Sequence, residues 1–234
     1  MYLKILRFLI NKLFFPIYNL TLKASKIVSR KGLYELIKGD LFLLKKNNKL
    51  PKILFVGSGG TLEMIVRDNL PCILTSIDID PKRSPDHVMS VCNMSFEDNQ
   101  FDAVLMFEVL EHVKDPFSAA KEILRVLKLN GILLLSTPFV FGIHDAPNDY
   151  WRFTKYGLMN IFKKFNDIEI IERGGFFHTL STILVRLIIC KNPFHKLLGC
   201  FFCVISLIIL PLLSIIDFLM PRDITLGYYV KAKK

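Results

Sequence analysis

The chain has 234 residues, enough for one domain with a full core, or one domain and a small appendage. Hydrophobic residues make up 52% and charged ones 22%, which excludes a disordered or collagen-like chain, and a mean hydropathy of +0.39 brings a membrane surface into consideration. The net charge of +10 is concentrated: residues 1–52 hold 12 Lys or Arg against Glu35 and Asp40, whereas beyond them 19 basic and 19 acidic side chains cancel.

Residues 1–49 read as a basic N-terminal arm that opens MYLKILRFLINKLFFPIYNLTLK. Lys4, Arg7 and Asn11 fall three and four apart and stack on one helical face, with Leu3, Leu6, Ile10 and Leu13 around the rest. Such a helix settles at a lipid surface with its charges among the headgroups. Arg7 and Lys12 interrupt any apolar core and no small-residue cleavage site follows, which disfavours a cleaved signal peptide. Two other readings stand beside the lipid one. The arm packs against its own body, or it binds nucleic acid, for which Phe14-Phe15 beside Ile10 and Leu13 is a poor surface.

From residue 50 short apolar runs alternate with amphipathic stretches. Ile53 to Val56 predicts a strand ending in Gly57-Ser58-Gly59-Gly60, and Thr61 to Asn69 predicts a helix with Pro71 beyond its end. Ile73 to Asp78 and Phe101 to Phe107 predict further strands. Asp115-Pro116 opens a helix through Leu127, with Pro at its first position and Asn130-Gly131 after it. Gly131 to Thr137 is a buried strand, Thr154 caps a helix through Lys164, and Ile168 to Ile171 and Ile224 to Val230 are the last strands. Apolar strands alternating with helices mean a mostly parallel sheet covered on both faces, a doubly wound α/β domain over residues 50–234. An apolar helical insert, 176–221, precedes the last strand, and within it Leu197 to Ile216 runs without a charge for the length of a bilayer span. Cys200 and Cys203 lie inside that run with no second pair, so packing is their expected role and zinc is not. The remaining cysteines, Cys72, Cys92 and Cys190, also sit in apolar surroundings, which points to a reducing, cytosolic setting.

In an open parallel sheet the ligand lies outside the carboxyl ends of the strands, and the unusual residues fall there. Absent side chains at Gly57, Gly59 and Gly60 let a ligand lie against backbone N–H groups at a helix start. Asp78, 21 positions beyond Gly57, ends the next strand, where a carboxylate accepts both hydroxyls of a ribose. Together they imply an adenosine-type ligand. A dinucleotide fingerprint needs a third glycine where Leu62 stands, and no Gly-Lys-Ser/Thr is present to cradle phosphate. The remaining common candidate is S-adenosylmethionine, whose amino-acid end lies over the glycine turn.

Ile53 to Pro138 resembles a class I S-adenosylmethionine-dependent methyltransferase of the methyltransferase-11 type. ILFVGSGG is similar to that family's first motif, SIDIDP to its second-strand acid motif, and NMSFEDNQFDAV to its approach to the fourth strand. FEVLEHVKDP and LKLNGILLLSTP resemble its next two blocks, and FGIHDAPNDYWRFTKYGL resembles the continuation on the substrate side in bacterial members. The resemblance implies a Rossmann-like, seven-stranded, mostly parallel sheet whose last strand inserts antiparallel beside Ile168–Ile171, and S-adenosyl-L-methionine as cofactor. It further implies that Gly57, Ser58 and Gly59 contact the methionine moiety and Asp78 the ribose. Ile79 would pack on the adenine, Asn93 and Met94 would lie along its edge, and Phe107 with Glu108 would close over the cofactor. Two positions depart from the family: Phe55 stands where an acidic residue is usual, and Ser90 where an Asp often meets the adenine amine.

Methyl transfer is an in-line displacement from a sulfonium, so the enzyme orients the nucleophile, excludes water and supplies a base where the acceptor must lose a proton. The catalytic candidates are His112, four residues after Glu108, and His144, in a loop that also carries Asp149, Tyr150 and Arg152. Glu108, Glu111 and His112 resemble the cluster with which some quinone-type O-methyltransferases hold magnesium. The same letters occur in relatives without metal, and no metal ligand is assigned. Arm and insert together predict a monotopic enzyme on the inner, cytoplasmic face of a membrane, with O-methylation of a small-molecule, lipid-linked or amphiphilic acceptor favoured. A single crossing would strand the last β element, so the insert reads as a helical hairpin in one leaflet, bent at Pro211, or else as a buried cap over the active site. Two other functions compete: a nucleoside-binding module without turnover, favoured by Phe55 and Ser90, and a nucleic-acid methyltransferase using the arm. Nucleic acid is not the favoured partner, and no Asn-Pro-Pro-aromatic motif follows Phe107, which argues against base N-methylation.

Overall fold

Ile53 and Phe55 face one core and Leu54 and Val56 the other, because successive side chains of a strand point to opposite faces. They belong to β1 (Lys52–Val56) of a seven-stranded sheet in the computed structural model, which describes residues 15–30, 32–44 and 50–234. The other strands are β2 (Ile73–Asp78), β3 (His87–Val88), β4 (Phe101–Phe107), β5 (Leu127–Pro138), β6 (Asn166–Arg173) and β7 (Gly227–Lys233). Their spatial order is β3-β2-β1-β4-β5-β7-β6, with β7 antiparallel to β5 and β6 and the remaining pairs parallel. This is the predicted doubly wound, mostly parallel sheet.

The helices are α1 (Phe15–Arg30), α2 (Leu33–Leu43), α3 (Thr61–Asn69), α4 (Pro116–Val126), α5 (Lys155–Ile161), α6 (Phe176–Val185) and α7 (Pro193–Ile216). The sheet shares its unit with α2 to α5, whereas α1, residues 140–142 and the insert 174–226 form a second unit. On one face of the sheet Ala119, Ile123 and Leu158 pack over Leu54, Val104 and Leu133, and on the other Leu33, Ile37 and Val66 pack with Ile53, Phe55 and Leu105. Local signals explain the helix starts. Asp115 accepts from the N–H groups of Phe117 (3.1 Å) and Ser118 (3.0 Å) with Pro116 at the first position, and Thr154 accepts from Gly157 N–H at 3.1 Å.

Four boundaries differ from the sequence expectation. Of the expected arm, the described helices fall in different units: α1 belongs to the helical unit, and α2 buries Leu33, Ile37 and Leu41 in the sheet unit. Gly32, with φ of 80°, separates the two helices. The basic stripe of Lys4, Arg7 and Asn11 lies outside the described residues. β5 begins at Leu127, because Asn130 (φ 62°) and Gly131 make an irregularity within the strand and not a loop before it. The helix from Thr154 stops at Ile161, where Phe165 N–H bonds to Phe162 O at 2.8 Å and turns both rings into the core. β7 starts three residues late, at Gly227, and continues through Lys231 and Lys233, whose ammonium groups reach Asp40 (2.8 Å) and Asp167 (3.0 Å). β3 is two residues long, too short to show a period.

In the helical unit the buried stripe is small and weakly polar: Thr21 and Ser25 of α1, Thr179 and Thr182 of α6, and Cys200 and Cys203 of α7. Cys203 Sγ donates to Thr21 O at 3.5 Å, and Cys200 Sγ lies 3.3 Å from Thr21 Oγ1, so both thiols pack between helices. Backbones approach closely here, since a Cβ on Gly199 would sit 2.2 Å from Ile188 N. His178 Nε2 is hydrogen-bonded to Val28 O, and Phe177 N–H donates to Asp217 at 3.1 Å. α7 runs unbroken through Pro211.

Candidate active site

The tips of β1 and β2 are neighbours. Val56 pairs with Ile77, and Gly57 N–H continues the ladder to Ile77 O at 2.9 Å. Gly57, Gly59 and Gly60 then take φ of 90°, 84° and 87°, the left-handed region in which an L side chain is strained. A Cβ on Gly57 would stand 2.4 Å from Val109 Cγ2, so the turn is also pressed against the segment that follows β4. Glu63 holds the turn from beneath. Its buried carboxylate accepts from Gly59 N–H (2.7 Å) and Ser58 Oγ (3.3 Å), and Arg67 grips the other oxygen from Nε (2.9 Å) and Nη2 (2.6 Å). Sequence reasoning passed over Glu63, although an acid in the first turn of a helix that follows a glycine run is a legible signal.

Asp78 closes β2 with its carboxylate turned toward the same end of the sheet. Asp80 N–H donates to it at 2.8 Å and Arg83 Nε lies 3.8 Å away. Ile79 beside it is exposed, as a surface for a flat apolar ligand requires. Asn93 is exposed, in a turn closed on Ser90 O at 3.1 Å. Met94 differs from its expected place along an adenine edge: its side chain is buried in the core, and Glu122 and Arg125 bind its N–H (2.9 Å) and carbonyl (2.8 Å). Phe107 differs too. Its ring is buried between Phe55 and Tyr229 instead of closing over a ligand, because alternation along β4 turns it to the opposite core from Met106.

Glu108 takes φ of 55° as the chain leaves β4, its N–H bonded to Ser136 O at 2.9 Å. Its carboxylate accepts from Ser136 Oγ (2.8 Å) and forms a two-pronged pair with Arg173 (3.1 and 3.2 Å). Arg173 is buried at the end of β6, and its guanidinium crosses β7 where Gly227 has no side chain; a Cβ there would lie 2.8 Å from Arg173 Nη2. Nothing in the sequence marks Arg173 as a site residue, because its role depends on which strand lies between.

Beyond Glu108 the structure brings together the residues expected to act on the acceptor. Glu111 is fully buried, with Oε2 accepting from Thr137 Oγ1 at 3.3 Å and Oε1 lacking a hydrogen-bond donor. Burial, and then the charge of Glu108, hold its carboxyl well above the ordinary range. Glu111 O receives the N–H groups of Tyr150 (2.9 Å) and Trp151 (3.2 Å), which latches the 144–152 loop to the segment after β4. The rings of His112 and His144 meet edge-on with centroids 4.9 Å apart. Asp149 accepts His144 N–H at 2.8 Å, approaches its Nδ1 at 3.4 Å, and takes both prongs of Arg152 at 2.7 Å. Tyr150 is half-exposed and donates from its hydroxyl to Asn148 at 2.8 Å.

Arg152 first, with His144 N–H behind it, depresses the Asp149 carboxyl to about 2. A depressed acid contributes stability that is complete above its unfolded value of 3.8 and is lost as pH falls toward 2. The stability gap between wild type and Asp149→Asn is therefore expected to be full at pH 5 and to shrink by pH 2.5, read from denaturant melts at each pH. A gap independent of pH would contradict this pairing.

Glycine turn and strand-tip carboxylate fit a nucleoside with an amino-acid tail: the turn has room above Gly60, where a Cβ would meet nothing within 4 Å, and the carboxylate is an acceptor for ribose hydroxyls. Residues 54–135 match the model of the family Methyltransf_11, described as a methyltransferase domain. Among solved structures, the chain is similar to a SAM-dependent methyltransferase from Archaeoglobus fulgidus (14% identity, TM-score 0.55, covering 86% of this chain and 94% of that one). It is also similar to Haemonchus contortus phosphoethanolamine N-methyltransferase 2 in complex with S-adenosyl-L-methionine (19%, 0.54, 84% and 52%). A third similar structure is the [4+2]-cyclase SpnF (17%, 0.53, 85% and 79%). At these identities the likeness is one of fold, and the cyclase shows that the fold carries other chemistry. No curated protein matches the chain in sequence.

Proposed function

For a chain that carries a class I S-adenosylmethionine-dependent methyltransferase domain of the methyltransferase-11 type, we propose that the acceptor is an amphiphilic or lipid-linked small molecule, methylated on oxygen at a membrane surface. The observation that carries this reading is the outward face of α7. Most of its large side chains, among them Phe194, Leu197, Phe201, Ile208, Leu212 and Ile215, are exposed, while the buried stripe is Cys200, Cys203, Ser206 and Leu210. A helix packed only for water has the reverse arrangement, and an exposed apolar face of this size marks a lipid or partner surface. The span Phe194–Leu219 has a mean hydropathy of 2.7 over its most apolar window, only 28% of which is buried.

Arg173 and Gly227 are register partners, so the insert leaves the sheet and returns to it at one point, and Thr225 Oγ1 donates to Gly174 O at 3.0 Å within it. That supports insertion into one leaflet and not a single crossing. The five free thiols suit a reducing compartment, which supports the cytoplasmic face.

When bound, S-adenosylmethionine supplies a methyl group made electrophilic by its sulfonium. The glycine turn receives the amino-acid end, Asp78 accepts from the ribose hydroxyls, and the contact of Gly57 with Val109 sets that half beside the 108–112 segment. His144 takes the proton of an acceptor hydroxyl at Nε2, with Asp149 near Nδ1 favouring the tautomer whose own proton is on Nδ1. The proposal of oxygen as the methylated atom rests on this base, which a neutral amine acceptor does not require.

Two measurements test the reading. Asp78→Ala is expected to weaken S-adenosylmethionine binding by about 5–150-fold in calorimetry, the ~1–3 kcal/mol of unpaired hydroxyls; unchanged affinity removes Asp78 from the ribose site. In flotation with liposomes the full chain is expected to rise with anionic vesicles, and a chain that stays in the soluble fraction with and without anionic lipid ends the membrane proposal. A second reading, nucleoside binding without turnover, draws on Phe55, whose ring is buried against Phe107 where the family usually places an acid. Binding without transfer to any lipid extract would favour it.

A further inference from the structure

We propose that Glu111, His112 and His144 bind one divalent transition-series cation on the acceptor side of the site. The inference rests on reading the 144–152 loop as the acceptor side. One ligand atom from each of the three residues lies within 4.8 Å of the others. Glu111 Oε1 is the focus: it is fully buried, it has no hydrogen-bond donor, and it lies 3.7 Å from His112 Nε2 and 3.8 Å from His144 Nε2. A buried carboxylate oxygen without a partner is costly unless something completes it.

The tautomer of His112 agrees with a cation. His112 Nδ1 lies 2.7 Å from Asn148 O, and a carbonyl only accepts, so the proton is on Nδ1 and Nε2 presents a lone pair toward Glu111. His144 has Asp149 near its Nδ1 at 3.4 Å, the outer carboxylate that metal-bound imidazoles commonly carry. Cation bonds of about 2.0–2.2 Å at tetrahedral angles set ligand atoms roughly 3.3–3.6 Å apart. Each imidazole nitrogen therefore needs to close on Glu111 Oε1 by only a few tenths of an ångström, while the two imidazoles, whose ligand atoms lie within 4.8 Å, must turn toward each other as the cation enters.

Two imidazoles and one carboxylate suit zinc, manganese or iron better than magnesium or calcium, which take mostly oxygen. The set differs from the Glu108–Glu111–His112 cluster suggested by resemblance, because Arg173 and Ser136 occupy the Glu108 carboxylate and His144 arrives from another strand end. Three protein ligands leave coordination positions open, and an acceptor with an oxygen donor fills one. With a cation in place His144 Nε2 is a ligand, and the proton of the acceptor hydroxyl goes to water instead of to His144.

The full chain, stripped with chelator, is titrated with Zn²⁺, Mn²⁺ and Mg²⁺ against a chromophoric chelator. One equivalent of Zn²⁺ or Mn²⁺ is expected to bind, more tightly than Mg²⁺. Glu111→Gln and His144→Gln are each expected to weaken it at least ~10-fold, and Asp149→Asn to weaken it by about 10–100-fold through His144. Calorimetry with S-adenosylmethionine on the same samples reports whether each variant is folded. A wild-type chain that binds S-adenosylmethionine but no equivalent of cation, or binding unchanged in both Gln variants, overturns this inference and leaves the methyltransferase reading standing. A wild-type chain that binds neither overturns both.

Discussion

Arg173→Met is expected to cost the protein about 3 kcal/mol of stability, the lower end of the ~3–5 kcal/mol seen when one partner of a buried ion pair is removed. Arg173 is 1% exposed and Glu108 is 19% exposed, so the orphaned carboxylate regains some water, which places the effect at that lower end. Without the guanidinium, Glu108 keeps only the Ser136 hydroxyl and its own solvation, and it faces Glu111, whose carboxyl its charge already raises. The double variant Arg173→Met with Glu108→Gln removes the unpaired charge and is expected to recover most of the loss. Denaturant melts of the four proteins close a double-mutant cycle. A loss under about 1 kcal/mol in the single variant would mean that the pair is a spectator.

In the chelator-treated, cation-free chain, His144→Ala is expected to lower methyl transfer by about 10²–10⁴-fold, the range for loss of a positioned proton-transfer group. Transfer is followed as labelled methyl incorporated into a lipid extract of the cells from which the chain comes. S-adenosylmethionine affinity should change little, because His144 lies with Glu111, His112 and Asp149 and not at the glycine turn. The same split, rate lost and cofactor retained, distinguishes His144 from Asp78, whose replacement acts on binding. Unchanged transfer in His144→Ala would remove the loop from the chemistry, and with it the argument for oxygen as the methylated atom.

Most of what proved legible from the sequence is local. Short apolar runs gave away β1 and β4, Asp115-Pro116 and Thr154 declared their helices through capping, and the glycine turn and Asp78 stood where strands end. Each of these depends on a few consecutive residues and on backbone preferences that neighbours far along the chain do not alter. Lysines at alternate positions hid the end of β7, since Lys231 and Lys233 read as polar until Asp40, Glu169 and Asp167 are seen opposite them. Asn130-Gly131 reads equally as a helix stop and as a bulge, and only the pairing of β4 with β5 decides between the two.

The site's inner chemistry belongs to tertiary structure. Glu108 and Arg173 are 65 residues apart in sequence, and they meet because β7 inserts between β5 and β6 and Gly227 leaves a gap for the guanidinium. His112 and His144 follow different strands, and they become one cluster because β4 and β5 are neighbours and the 144–152 loop folds back onto Glu111 O. Phe107 and Met94 were assigned to a ligand by motif position, but the pleat and the Glu122–Arg125 clamp turn them into the core. A single sequence carries the period of each strand but not the order in which strands lie side by side. Charge pairing and ligand convergence depend on that order, because Coulomb and coordination forces act through space over a few ångströms and take no account of distance along the chain.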